Sequence, residues 1–410
     1  MIMMNFKTDT AISSKITKLS FGKVCVAYFF LLPLPYFGVN NTLTVATIFG
    51  VILCVFLALK KRYYCDRYMM MVFLLFIIGE LLSLLICTNT SKSVSYTLQK
   101  AIVLFVVYSL TMSYVAGDSN RLDRCINSYK IGCLITALLS MAYYVFGVSV
   151  PFISTKFATG RLVVSGLGPN VVARLICVGA FICLYYAQIK KKKEKVLSYI
   201  EYGICSLTIL STISTSGMAL LAIGSILIVL KYNEGVKKLG AVKIIAMIIG
   251  IIILAIIAYY TIPFVQNQVD KLLLRSNVNQ MIDAGQGEYT FHGRLNGLEN
   301  IWKYLQEFFI VGVGYGCSSV LSGTTIHFPI IASYIETGIF GFVSCLIMYG
   351  VPVVCALKIF KSKQLGIYGI ISMVIFMGDM IQPNPNYVFT WFAIFLCCAA
   401  HRCQKNNTVL

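Results

Sequence analysis

The residues best suited to chemistry are concentrated between positions 265 and 337. This segment contains two of the three histidines, His292 and His327, and six of the 15 acidic residues. A histidine such as His327 changes charge near neutral pH and can act as a general base; a purely structural histidine is the alternative. The guanidinium of Arg294 matches phosphate oxygens bidentately; the alternative is an incidental arginine on a surface helix. The isolation of His327 from other ligands argues against a metal site.

A second polar segment precedes an apolar run in the middle of the chain. Gly160-Arg161 and Gly168-Pro169-Asn170 lie in this segment, and Arg174 follows one helical turn inside the run. An arginine inside an apolar span is costly, so Arg174 is expected to face a polar cavity or an anion, or else to extend to the headgroups. Glu80 and Asp379 also fall within apolar runs, and Glu80 is a candidate partner for Arg174.

Membrane spans must position these residues. The chain has 410 residues, of which 58% are hydrophobic and 12% charged, with a mean hydropathy of +0.82. These values exclude a soluble globular protein and a disordered chain. They predict an all-α, polytopic integral membrane protein that forms a single membrane domain over residues 1–410. About twelve spans are predicted, roughly at 22–38, 43–59, 68–87, 101–116, 131–150, 169–188, 197–213, 217–230, 244–264, 338–357, 365–381 and 387–401. The pair between 197 and 230 could instead be one long tilted helix.

The basic residues indicate the orientation of these spans. Of the 34 Lys and Arg residues, 25 fall in the loops that lie inside when both termini are cytoplasmic. The sequence therefore predicts a multi-pass protein with both termini in the cytoplasm and an uncleaved first span. The net charge of +19 is attributed to this topology and to membrane lipids with anionic headgroups. No nucleic acid is expected as a partner, because the basic residues are scattered over several segments.

Cysteine and glycine patterns predict neither metals nor nucleotide cofactors. The 15 cysteines fall almost entirely in spans or inner segments, and Cys317 is the only one placed clearly outside, so no disulfide framework is expected. No zinc-ligand spacing and no P-loop occur. The run Gly312-Val313-Gly314-Tyr315-Gly316 lacks the strand and helix of a dinucleotide site. Its glycines are expected to permit a tight turn and close approach to a ligand or helix.

Residues 265–337 are predicted to form one long extracytoplasmic loop within the membrane domain. Apolar residues from Leu295 to Phe309 recur at i, i+3 and i+4, which predicts an amphipathic helix at the membrane surface. Arg294 lies at the start of this helix. Chemistry in this loop would be separated from cytosolic ATP.

The layout and several motifs resemble the bacterial O-antigen polymerase and O-antigen ligase family of integral membrane glycosyltransferases. The layout covers nearly the whole chain. Gly160-Arg161 followed by Gly168-Pro169-Asn170 is similar to the family's arginine-then-asparagine segment. Gly293-Arg294 with Trp302 and then Gly312-Val313-Gly314 is similar to its arginine–tryptophan–glycine stretch. A third resemblance, to the family's histidine and Glu-x-Gly-x-x-Gly segment, involves His327, Glu336, Gly338 and Gly341.

Two positions depart from the family pattern. The family often has Ser-Arg-Gly after the seventh span, whereas this chain has Thr215-Ser216-Gly217, so Arg161 or Arg174 would have to substitute for that arginine. Phe328 stands where the histidine is commonly followed by asparagine.

The resemblance implies a polymerase that joins oligosaccharide repeat units, carried on a polyprenyl diphosphate, into an O-antigen, capsule or exopolysaccharide. His327 and Arg294 would be catalytic, with His327 deprotonating the attacking hydroxyl. Arg161, Arg174 and Arg294 would bind the diphosphate, without a metal or other cofactor. Possible sugar-binding residues are Tyr289, Trp302 and Tyr315, and supporting residues are Asn170 and Glu336.

Partner proteins and alternative functions also follow from the resemblance. A chain-length regulator and a flippase would be the protein partners in the bacterial cytoplasmic membrane. The nearest alternative is an O-antigen ligase that transfers finished polysaccharide to a lipid core, and the second is a transporter or flippase for lipid-linked sugars. Transporters typically show internal repeats, and none is evident between the halves of this chain.

Overall fold

The computed structural model describes residues 13–34, 44–148, 155–158, 161–164, 167–233, 310–318, 326, 328–381 and 387–407, with scattered positions between 253 and 270. The helices are α1 (Ser13–Leu31), α2 (Val45–Leu59), α3 (Arg67–Leu84), α4 (Thr90–Ile102), α5 (Ser109–Val115), α6 (Ser119–Phe146), α7 (Pro169–Ile189), α8 (Lys192–Ser211), α9 (Thr215–Tyr232), α10 (Pro329–Ile359), α11 (Gly366–Ile381) and α12 (Val388–Asn407). A π-helical stretch, Val103–Tyr108, joins α4 and α5 into one helix.

The prediction of a predominantly helical chain is confirmed, and several helices have the length and apolar composition expected of membrane spans. Among the described residues, six helices are long and apolar enough to cross a membrane: Arg67–Leu84, Thr90–Val115, Ser119–Phe146, Pro169–Ile189, Thr215–Tyr232 and Pro329–Ile359. Shorter apolar helices span Gly22–Leu31, Val45–Leu59 and Gly366–Ile381. The predicted span at 244–264 and most of the loop at 265–337, including its amphipathic helix, lie outside the described residues.

One element was not predicted. The strands β1 (Thr155–Ala158) and β2 (Arg161–Val164) pair antiparallel just before α7, with Thr155 opposite Val164. This hairpin carries Arg161 at the start of β2.

Side-chain caps explain where several helices begin. The N-cap side chain accepts a hydrogen bond from a free backbone N–H of the first turn. Asp66 accepts from Met69 at 2.9 Å before α3, and Asn89 accepts from Lys92 at 3.1 Å before α4. Pro169 begins α7, where its missing N–H costs no hydrogen bond.

Residues 197–230 belong to two separate helices, which excludes the single tilted helix. α8 ends at Ser211 and α9 begins at Thr215. Between them Ile213 adopts a left-handed conformation with φ of 49°, and the hydroxyl of Ser214 accepts from Gly217 N–H at 3.0 Å. The chain therefore turns back sharply.

Burial differs strongly between central and peripheral helices. Every residue of α7 from Val171 to Ala187 is buried. On the peripheral α2, one face is buried against the bundle and the opposite face exposes an apolar stripe at i, i+4, i+7 and i+11, formed by Ile48, Ile52, Val55 and Leu59. Such a stripe is unfavourable in water and suits contact with lipid chains.

Candidate functional site

Five charged side chains are buried within the described part of the chain, and all belong to one network. We call them the charged cluster: Glu80, Lys100, Arg174, Glu336 and Asp379. Each is at most 7% exposed, and they come from α3, α4, α7, α10 and α11. Burying a charge costs several kcal/mol unless partners compensate it, so ionisable groups in spans mark functional sites.

Arg174 and Asp379 form a buried ion pair. Arg174 Nη1 donates to Asp379 Oδ1 at 2.5 Å, and the Tyr349 hydroxyl donates to the other carboxylate oxygen. The suggested pairing of Arg174 with Glu80 is wrong, because α7 packs against α11, whereas α3 packs against α10 and α4.

Glu80 instead receives hydrogen bonds from the first turn of α4 and from the glycine-rich segment, which we define as residues 312–318. The Ser93 hydroxyl donates to Glu80 Oε1, and Tyr315 N–H donates to Oε2 at 3.1 Å. One helical turn further along α3, the Ser83 hydroxyl accepts from Gly312 N–H at 2.9 Å. Glu80 therefore fastens the glycine-rich segment to α3.

Lys100 lies inside an aromatic cage. Its Nζ is 5.5 Å from the ring centre of Phe76, 5.7 Å from that of Tyr315 and 5.8 Å from that of Trp391. Cation–π attraction stabilises an ammonium in such a setting. The charges of Asp379 and Glu336 also act on it. Lys100 thus connects the Arg174–Asp379 pair with the glycine-rich segment.

Glu336 lies where α10 is interrupted. Thr337 and Gly338 have non-helical backbone angles, and Gly338 has φ of 64°. The break frees two carbonyl groups, which accept hydrogen bonds from the glycine-rich segment instead of from their own helix: Val313 N–H to Ile335 O at 3.0 Å and Gly314 N–H to Glu336 O at 2.9 Å. Polar groups freed by a helix break must find such partners.

The same segment holds the side chain of Glu336. The Ser318 hydroxyl donates to Glu336 Oε1 at 2.5 Å. The glycine-rich segment thus bonds to both carboxylates, Glu80 through its backbone and Glu336 through Ser318.

The glycines permit the close approach that the sequence predicted. Gly314 and Gly316 have φ of 101° and 75°. A Cβ on Gly314 would collide with the side chain of Cys87, and a Cβ on Gly316 with the ring of Tyr96. Between them Tyr315 is buried, with its ring centre 4.9 Å from that of Phe76. Its ring is enclosed within the protein instead of forming a surface for a sugar.

Arg161 lies at the turn between α8 and α9. Its Nε donates to Thr212 O at 3.0 Å, and its Nη2 donates to Asn170 Oδ1 at 3.3 Å. Asn170 Oδ1 also accepts from the Ser214 hydroxyl at 2.7 Å. The arginine-then-asparagine segment therefore meets the turn whose own sequence lacks an arginine.

The predicted site residues thus fall into two groups. Arg161 and Asn170 meet at the α8–α9 turn, and Arg174 follows Asn170 by one turn of α7; Tyr315 and Glu336 meet at the break in α10. The remaining predicted residues lie outside the described residues: Tyr289, Arg294, Trp302 and His327.

Lys100 was not predicted as a site residue, because the fourth span was predicted to begin after it. The helix begins at Thr90, so Lys100 lies well inside. The available signal was the spacing of Ser93, Thr97 and Lys100 at i, i+4 and i+7, which places three polar residues on one helical face.

Neither a metal-binding cluster nor similarity to a known protein identifies the chemistry of these residues. Within the described residues, no group of three or more His, Cys, Asp or Glu side chains could hold a metal ion. Compared with known proteins, the chain matches no family model, and no curated protein is significantly similar to it in sequence.

Proposed function

We propose that the chain is a membrane glycosyltransferase that polymerises lipid-diphosphate-linked oligosaccharide repeat units into a surface polysaccharide. The proposal is supported by contacts between segments whose sequences resemble motifs of the polymerase and ligase family. Arg161 bonds to the α8–α9 turn, supplying the guanidinium that Thr215-Ser216-Gly217 lacks. Separately, Gly314 bonds to the backbone of Glu336, bringing the glycine stretch onto the Glu-x-Gly-x-x-Gly segment.

The proposed topology has twelve spans in the bacterial cytoplasmic membrane and both termini in the cytoplasm. In this topology, successive membrane-spanning helices cross the membrane in opposite directions. The α3–α4 turn, the start of α7, the α8–α9 turn and the start of α10 then all lie on the outer side. Both groups of site residues face the compartment in which lipid-linked repeat units would be joined.

The proposed reaction needs a cationic site for the donor and a base for the acceptor. A sugar hydroxyl attacks the anomeric carbon, and the carrier diphosphate leaves with its negative charge. Arg161, Arg174 and Arg294 are proposed to stabilise that charge. We add Lys100, whose charge is buried close to the glycine-rich segment. His327 is proposed to accept the proton of the hydroxyl.

The test is polysaccharide length in a deletion strain complemented with single variants. Lys100→Met keeps the length and apolar stem of the side chain and removes its charge. We expect Lys100→Met, Arg294→Ala and His327→Ala to leave one repeat unit per anchor on a polysaccharide gel, with unchanged protein in the membrane. The matched control is Lys130→Met, whose ammonium pairs with Glu201 at 2.7 Å away from the charged cluster and should give full-length chains. Full-length polymer in the deletion strain itself would exclude a polymerase.

A transporter of lipid-linked sugars is the second candidate, favoured by the interruption of α10 at Thr337 and Gly338 beside buried charges. Broken helices with exposed backbone polar groups form many transporter binding sites. The two functions predict different accumulations in the deletion strain. Single lipid-linked units on the outer leaflet indicate a lost polymerase, and on the inner leaflet a lost transporter. Full-length polymer left on its carrier lipid would indicate the ligase.

A further inference from the structure

Two cysteines face each other where the glycine-rich segment contacts the end of α3. Cys87 lies in the turn after α3, and its Sγ is 3.9 Å from the Sγ of Cys317. The Cys317 thiol also donates to Asn89 O at 3.7 Å. The sequence placed Cys87 at the end of a predicted span, but α3 ends at Leu84, which leaves Cys87 beyond the helix and in contact with Cys317.

We propose that Cys87 and Cys317 form a reversible disulfide that fastens the glycine-rich segment to the end of α3. A disulfide bond is about 2.05 Å long, so the sulfurs must approach by roughly 2 Å, a displacement that side-chain rotation can supply. The proposal rests on the topology given with the proposed function, in which both cysteines face the outer compartment, where thiols are oxidised.

A neighbouring glycine brings the two cysteine-bearing segments together. Gly314 packs so closely on Cys87 that any Cβ at position 314 would strike its sulfur. Two hydrogen bonds flank Cys317, from Tyr315 to Glu80 and from Ser318 to Glu336. The backbone is thus already held in place on both sides of Cys317.

A second pair of neighbouring cysteines shows that proximity alone does not predict a disulfide. The Cys183 thiol lies within hydrogen-bonding reach of Cys205. These two residues are buried in α7 and α8, inside the helical bundle. Water-soluble oxidants do not reach that depth, so this pair is expected to stay reduced and serves as an internal control.

The chemistry is a thiol–disulfide exchange with an external disulfide as oxidant. Burial raises the pKa of the Cys317 thiol to about 12, so Cys317 is protonated at neutral pH. Cys87 is the more exposed of the two and makes the first attack, forming a mixed disulfide and releasing one thiolate. Cys317 then attacks the Cys87 sulfur and displaces the second thiolate. The protons of the two cysteines pass to these leaving groups, so one external disulfide becomes two thiols.

The bond would control how freely the glycine-rich segment moves. In the reduced protein, hydrogen bonds and packing hold residues 312–318 against α3 and α10. In the oxidised protein, a covalent link holds the same contact, so Glu80 and Glu336 stay bonded to the segment. The redox state of the outer compartment would thereby be coupled to the contact between the glycine-rich segment and the carboxylates of Glu80 and Glu336.

The test is peptide mapping of the purified full-length protein in detergent. The protein is incubated with oxidised glutathione, unfolded in the presence of iodoacetamide, digested and analysed by mass spectrometry without reduction. We expect a peptide pair linked through Cys87 and Cys317 that disappears after dithiothreitol and in Cys87→Ser and Cys317→Ser. Cys183 and Cys205 should be recovered alkylated. Recovery of both Cys87 and Cys317 as alkylated residues after oxidation overturns the proposal.

A second arm uses intact cells quenched with N-ethylmaleimide, without added oxidant. The linked peptides are expected there too, and free thiols at both positions would overturn the disulfide as a native modification. Neither arm depends on polysaccharide synthesis. A linked pair in a protein whose deletion leaves polymer length unchanged would refute the polymerase and leave the disulfide standing.

Discussion

Asp379→Asn should be strongly destabilising, because it removes the negative charge that compensates buried Arg174. Asparagine keeps the shape of the side chain and can still accept from Tyr349. The arginine, which is 3% exposed, would retain its charge without the partner now 2.5 Å away. Breaking one side of a buried ion pair costs about 3–5 kcal/mol. That cost lowers the ratio of folded to unfolded protein by roughly 10²–10⁴-fold.

The assay is unfolding of the purified variants in detergent, by heat and by titration with sodium dodecyl sulfate. Glu194→Gln is the matched control, since Glu194 pairs with Lys190 at 3.3 Å on the exposed surface. An exposed pair of this kind contributes at most about 1 kcal/mol. Equal unfolding midpoints for Asp379→Asn and Glu194→Gln would refute the buried pair.

A double replacement separates the stability of this pair from its role in binding. Arg174→Met combined with Asp379→Leu removes both charges, and apolar replacement of a buried ion pair is often neutral or stabilising. We expect the double variant to recover most of the stability and still to produce no polymer. Recovery of stability together with full-length polymer would assign the pair a structural role alone.

Three further changes test the local geometry. Gly314→Ala should lower the unfolding midpoint, because φ of 101° costs a non-glycine residue about 1–2 kcal/mol and the methyl group would strike Cys87. The control is Gly203→Ala, which has open space around the added Cβ and should not lower the midpoint. In Cys87→Ala, alkylation of Cys317 at a given pH between 7 and 10 should be faster than in the reduced wild-type protein. Only the thiolate reacts, and burial together with the neighbouring Cys87 raises the pKa of the Cys317 thiol to about 12 in the wild type, so loss of Cys87 lowers that pKa; equal or slower alkylation in the variant would contradict this. Ser214→Ala should cost about 1 kcal/mol through loss of the α9 cap, and an unchanged midpoint would show that the cap is unimportant.

The positions of the apolar helices were predicted from the sequence more accurately than their ends. Each of the six described helices that are long and apolar enough to cross a membrane overlaps a predicted span, but α4 begins at Thr90 and α10 at Pro329, well before the predicted starts at 101 and 338. The first turns of α4 are polar, and those of α10 contain Ser333, Glu336 and Thr337 among apolar residues. Hydropathy treats such polar residues as outside the membrane. Asn89 caps the first of them, and Ser93 and Glu336 are satisfied inside the protein, so the helices continue through polar sequence.

The partners of the buried charges could not be predicted from the sequence. Hydropathy identified Glu80, Arg174 and Asp379 as unusual, but the choice of partner depends on which helices pack together. Arg174 and Asp379 are 205 positions apart, and no local pattern connects them. Cys87 was placed inside a span because its neighbours are apolar, which concealed its contact with Cys317.

The all-round burial of α7 has a consequence for biogenesis. At synthesis rates of about 5–20 residues per second, Asp379 is made roughly 10–40 s after Arg174. During that interval the nascent chain must shelter a guanidinium without its counterion, and α11, which packs against α7, is still absent. The insertion machinery must therefore delay release of this helix into the lipid, and a polypeptide truncated before residue 379 would leave an arginine stranded in the bilayer as a mark for quality-control proteolysis.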